Sequence, residues 1–138
     1  MKNLALIADL MAVLVAALGL VAIHVWAGPC DGVLELASGN ATLMRCAYAC
    51  KVATLLMAII VAVGVVGMIA KARACSAVLL FLAVALVLIT IDSAVGIGVC
   101  KSPMACWTMR TWIDIVAGVV AICGLTGLFA GVSKKQVK

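Results

Sequence analysis

Seven cysteines and a handful of carboxylates are the residues of this chain that could do chemistry. Thiols pair into disulfides in oxidising compartments, exchange with other disulfides, or bind soft metals. Four of them stand in a repeated setting. Gly28-Pro29-Cys30 is followed by Met44-Arg45-Cys46 with Tyr48 close behind, and Gly98-Val99-Cys100 by Met104-Ala105-Cys106-Trp107. Each unit reads Gly-x-Cys, spacer, Met-x-Cys, aromatic, the pattern of an internal duplication. Four cysteines allow three pairings. Pairing within each unit, Cys30 with Cys46 and Cys100 with Cys106, closes the shorter loops and is the first expectation, with bridges between the units as the alternatives. Cys50, about one helical turn after Cys46, is either a buried apolar residue or a spare thiol for exchange.

The second group is polar residues inside apolar runs: Asp9, His24, Asp92 and Asp114, with Arg110 close by. An ionisable group in hydrocarbon costs a few kcal/mol or more and is by default a functional-site hypothesis. Arg110 and Asp114 are spaced to pair on one helical face, though in the less favourable order. His24, beside Trp26, reads as an interfacial anchor or hydrogen-bond partner. Asp9 is expected to meet Lys71 or Arg73. Asp92 has no cation within a turn of it, so it is either a proton, cation or subunit-contact site, or satisfied by Thr90, Ser93 or His24.

Composition dictates the elements that must carry these groups. Of 138 residues, 68% are hydrophobic and 11% charged, whereas globular chains run at about 45–50% and about 25%. The solvent must therefore be a lipid bilayer. The net charge of +5 is scattered rather than gathered in a basic stripe, which excludes nucleic acid as a partner. Crossing about 30 Å of hydrocarbon takes roughly 20 helical residues, and four runs qualify: about 4–26, 52–70, 76–99 and 112–132. They are apolar on every face and lack the short alternating segments of a β-barrel. The predicted fold is an all-α integral membrane four-helix bundle in one domain over 1–138, built of two tandem two-helix hairpins with disulfide-bearing outer loops.

The first run is too long for the core of a signal peptide, and Asp9 interrupts its start. With both termini inside, Lys2, Lys71, Arg73, Lys134, Lys135 and Lys138 are cytoplasmic against Arg45, Lys51, Lys101 and Arg110 outside. That is a modest positive-inside bias, and it places the cysteine-bearing loops on the oxidising side. Gly127 and Gly131 have the spacing of a close helix contact, and Gly64 and Gly67 lie near each other on the second run. They suggest packing within the bundle, with self-association through Gly127 and Gly131 as the alternative. Trp107 and Trp112 fit an outer aromatic belt.

Met44-Arg45-Cys46-x-Tyr48, Gly98-Val99-Cys100 and Pro103-Met104-Ala105-Cys106 on four short spans resemble the prokaryotic domain-of-unknown-function family 4418 over essentially the whole chain. Members of that family often carry His directly after the second cysteine of each pair. Ala47 and Trp107 stand there instead, which leaves the cysteines as the shared element. The resemblance implies a multi-pass protein of a prokaryotic plasma membrane and an accessory role beside an export-type ABC transporter permease. It implies no biochemical activity.

Three classes of function follow: a non-catalytic accessory or structural subunit, a membrane thiol-disulfide oxidoreductase, and an outer-face copper or zinc binder using Met44, Met104, Met109 and the cysteines. The oxidoreductase class lacks its usual Cys-x-x-Cys. No phosphate-binding glycine loop, Ser-His-Asp order or paired catalytic carboxylates occur in the sequence. The expectation is a non-catalytic subunit with no cofactor and no resident metal.

Overall fold

A computed structural model describes residues 2–29, 33–35, 41–43, 45–70, 73–91, 96–98 and 105–132. Its helices are α1 (Lys2–Val25), α2 (Arg45–Ala70), α3 (Arg73–Thr90) and α4 (Ala105–Val132). Three of these are long and apolar enough to cross a membrane, over Leu6–Val25, Arg45–Ala70 and Ala105–Phe129, which makes the chain a multi-pass membrane protein. The fourth is apolar but shorter. The 18 residues of α3 extend about 27 Å at 1.5 Å per residue.

Each helix packs on its neighbours in the chain, and α1 closes the ring against α4, while α2 and α4 barely touch across the middle. The loosest of the four seams is α2 on α3. The stripe Ala8, Ala12, Ala16, Gly19 gives α1 a smooth buried face, which lets its backbone approach two neighbours closely. Met57 and Ile60 from α2, Leu86 from α3 and Ile113 from α4 fill the space between the helices and are fully buried. Outward-facing positions carry Leu18, Leu55, Phe81, Ile122 and Phe129, all more than half exposed. Large apolar side chains on the outside of every helix are what hydrocarbon solvent permits.

The helix boundaries correct the expected spans in three places. α2 and α4 each begin seven residues before the expected starts at 52 and 112. Hydropathy marks only the lipid-crossing part, whereas Cys46, Ala49, Cys50 and Ala53 already bury one face of α2, as Cys106, Met109 and Ile113 do of α4. Cys46 and Cys106 consequently lie in the first turns of helices, not in loops. α3 stops at Thr90, well short of Val99. Beyond it the chain turns back so that the Gly98 amide donates to the Ile89 carbonyl at 3.1 Å. Gly98 has φ 72°, a conformation costly for residues with a Cβ. A Cβ on Gly96 would collide with the Ile91 and Leu88 carbonyls.

A short ribbon was not expected at all. β1 (Val33–Glu35) pairs antiparallel with β2 (Ala41–Leu43), Val33 opposite Leu43 and Glu35 opposite Ala41. Five residues containing Ser38-Gly39-Asn40 join the strands, a hairpin signal that the long polar loop had obscured. The first unit thus carries a ribbon between its two helices.

Glycine positions separate packing from propensity. A Cβ on Gly118 would meet nothing within 4 Å, so Gly118→Ala is expected to leave stability unchanged or to raise it by up to about 1 kcal/mol through helix propensity, read as an unchanged or higher thermal midpoint in mild detergent. A drop in the midpoint would contradict the exposed position of this residue.

Candidate functional site

Polar side chains collect at two levels of the bundle. The end bearing the interhelical connections 26–44 and 91–104 is called the hairpin end, and the other the terminal end.

At the hairpin end a polar contact clasps α1 to α2 and another clasps α3 to α4. Thr54 on α2 donates its hydroxyl proton to the Cys50 carbonyl at 2.8 Å, and its oxygen lies 3.3 Å from His24 Nε2 on α1. A threonine has one proton to give. With that proton on Cys50, Thr54 is left to accept from an Nε2–H of His24. In the second pair, Thr90 on α3 divides its proton between the Val87 carbonyl at 2.9 Å and Asp114 Oδ1 at 3.0 Å on α4. Asp114 Oδ2 faces Arg110 Nε at 3.5 Å. Thr54 and Asp114 stand the same number of residues after Cys46 and Cys106.

The expected Arg110–Asp114 pair is therefore present, and His24 has a hydrogen-bond partner as expected. That partner is thirty positions away in the chain, beyond what helical spacing could reveal. Asp92, past the last residue of α3, lies outside the described residues. Two of the groups proposed to satisfy it, Thr90 and His24, are already engaged elsewhere. Between α1 and α4, Trp26 meets Trp112 edge to face, with ring centroids 5.8 Å apart and planes at 71°. This geometry favours aromatic pairs. The contact spans the seam that closes the bundle and joins Trp112 to a ring not counted among the expected belt.

A double-mutant cycle measures the first clasp. His24→Ala and Thr54→Val are each expected to destabilise the protein in detergent, with a coupling of about 0.6 kcal/mol, the average for interhelical hydrogen bonds in membranes. Additive losses would mean that the 3.3 Å contact contributes nothing.

Two of the described thiols are neighbours on one helix. Cys46 is fully buried in the first turn of α2, and Cys50 is buried one turn further along the same helix. No disulfide is formed among the described residues. Cys30 and Cys100, the expected partners of Cys46 and Cys106, lie outside them. Among the described residues no three His, Cys, Asp or Glu side chains stand close enough to hold a metal ion.

The terminal end was less legible. Asp9 on α1 is 8% exposed. A Cβ on Gly67 of α2 would lie 3.3 Å from Asp9 Oδ2 and 3.3 Å from Cys75 Cβ on α3, and one on Gly64 would lie 3.6 Å from the Asp9 carbonyl. The expected contact of Asp9 with Lys71 or Arg73 lies outside the described residues. Ser76 of α3 makes the corresponding approach to α4. Its side chain abuts Gly127, and a Cβ on Gly124 would lie 3.0 Å from its carbonyl. Gly127 is thereby turned into the bundle, which removes it from a surface for self-association; the surroundings of Gly131 are outside the described residues.

No curated protein and no solved structure matches the chain. One family model does match, over residues 12–130, and covers both clasps, both buried-cysteine turns and all four glycines of the terminal end. The chain belongs to the family described as Domain of unknown function (DUF4418).

Proposed function

We propose that the protein is a non-catalytic accessory or structural subunit in a prokaryotic plasma membrane, associated with an export-type ABC transporter permease. The observation that carries this reading is a plugged interior beneath a clasped rim. Met57, Ile60, Leu86 and Ile113 fill the centre of the bundle. Above them, His24–Thr54, Thr90–Asp114 and Trp26–Trp112 tie the helices to one another. Such an arrangement leaves little room for a solute path and engages its polar groups in holding the hairpin end rigid. A rigid rim is pre-organised for docking, which lowers the cost of binding a partner. All four helices cross the membrane in this reading, with both termini cytoplasmic.

The two halves are tandem repeats. Gly64 and Gly67 seat Asp9 as Gly124 and Gly127 seat Ser76, and both glycine pairs stand at one register relative to Cys46 and Cys106. Disulfides Cys30–Cys46 and Cys100–Cys106 would anchor each loop to the first turn of the helix that follows it. Such staples would stiffen short connections that bury little apolar surface of their own.

The test is co-purification in mild detergent from cells expressing the neighbouring transporter. The tagged protein is expected to bring down the permease in stoichiometric amount, and recovery of the tagged protein alone would sink the assignment. Mass mapping of thiols without reductant is expected to show both loop pairs oxidised and resistant to glutathione. Pairs that glutathione readily reduces and that reoxidise in turnover would favour the thiol-disulfide oxidoreductase instead, and free thiols retaining copper or zinc the metal-binding alternative.

A further inference from the structure

Asp9 and Ser76 occupy equivalent niches in the two halves of the bundle, and they differ in one respect that packing does not explain. In both, a polar residue of an odd-numbered helix lies on a Gly-x-x-Gly seat of the helix paired with it, its carbonyl over the first glycine and its side chain over the second. Ser76 shows that a hydroxyl fills such a niche. Asp9 brings an ionisable group to its own, with the cost that an acidic side chain carries inside a membrane span. Its carboxyl joins no hydrogen bond or ion pair among the described residues, and neither oxygen is both unpartnered and completely sealed.

The surroundings select the ligand. From α2, Gly67 lies against the carboxyl and Gly64 against the Asp9 backbone carbonyl, and neither offers a titratable group. Among the described side chains, Cys75 of α3, whose Cβ adjoins Gly67, and Cys123 of α4, within electrostatic reach of Asp9, are the titratable neighbours, while those of Lys71 and Arg73 lie outside the description. A calcium or magnesium ion requires several oxygen ligands, and the niche supplies one carboxylate. A thiophilic metal would draw on Cys75 and Cys123, but among the described residues no three such groups converge. A proton needs a single oxygen. We propose that Asp9 is an intramembrane proton-binding site at the point where α1, α2 and α3 meet, and that its counterpart Ser76 serves packing alone.

A hydrophobic carbodiimide tests this on the full-length protein in lipid vesicles, because the reagent partitions into the bilayer and reacts with a protonated carboxyl. The acid proton passes to a carbodiimide nitrogen as the carboxyl oxygen adds to the central carbon. An acyl shift from oxygen to nitrogen then leaves a stable N-acylurea carrying the whole mass of the reagent. Peptide mass mapping is expected to place that mass on Asp9 and not on Asp114, which is paired with Arg110. Labelling is expected to fall as pH rises, by about tenfold per pH unit beyond the midpoint, and to be indifferent to added sodium or potassium. Asp9→Ser is expected to retain the thermal midpoint and lose the label. Absence of label at every pH, label independent of pH, or protection by sodium or potassium would each overturn the proposal. So would collapse of Asp9→Ser, since the equivalent niche is filled by serine.

Discussion

Replacing Gly124 by leucine is expected to force α3 away from α4 and to lower the thermal midpoint in detergent sharply. A Cβ at this position would lie 3.0 Å from the Ser76 carbonyl oxygen and 3.2 Å from the Leu80 amide nitrogen. Both are backbone atoms of the facing helix, so no rotamer change can relieve the contact. Even Gly124→Ala should cost about 1–3 kcal/mol, the range for inserting atoms into a well-packed site, and leucine more. In lipid there is no hydrophobic drive to push the helices back together, because acyl chains solvate the separated surfaces as well as the opposite helix does. Close packing is most of what holds this seam. Gly118→Ala on the same helix is the control, being the same change where nothing lies within 4 Å. Equal midpoints for Gly124→Leu and the unmodified protein would mean that α3 and α4 are not in contact here.

That contrast between Gly118 and Gly124 was not visible in the sequence, where both are glycines in one apolar run. What was visible depended on range. Helices announced themselves through hydropathy, and the Arg110–Asp114 pair through a spacing of four within one helix. The starts of α2 and α4 were readable in principle, since Cys46, Ala49, Cys50 and Ala53 repeat at helical intervals, but polar Arg45 and Lys51 among them broke the hydropathy run. The end of α3 was masked in the opposite way. Val95, Ile97 and Val99 are apolar enough to prolong the run, and the glycines between them, which turn the chain, carry no hydropathy signal of their own. Contacts that join helices, His24 with Thr54 and Asp9 with Gly67, depend on which faces meet. A single sequence fixes neither the rotation of a helix that is apolar all round nor its neighbours. The twin seats at Gly64–Gly67 and Gly124–Gly127 share a spacing that was open to reading in the sequence, where Gly127 drew notice only for its spacing to Gly131.

Introducing a lysine on the outside of α3 gives the other large expected effect, and its sign distinguishes lipid from water. Phe81 lies midway along α3 and is 75% exposed, one of the most exposed large side chains in the bundle. On a water-facing helix, Phe81→Lys would be neutral or would improve solubility, because an exposed phenyl ring has nothing to lose. In a bilayer the same change sets an ammonium near the middle of the hydrocarbon, at about 2.5–3.5 kcal/mol on insertion scales. α3 is the helix on which this bears hardest. At about 27 Å it only just matches a hydrocarbon core of about 30 Å, so it has little spare length to slide the lysine toward an interface. The expected outcome is a several-fold loss of membrane-inserted protein, measured by carbonate-resistant yield and by accessibility of Cys75 to membrane-impermeant thiol reagents. Phe81→Ala should cost far less, because acyl chains close over the space that the ring vacates. If Phe81→Lys instead inserts normally and keeps its thermal midpoint, α3 does not cross the membrane, and the bundle would have to be recast as three spans with an apolar helix held against them.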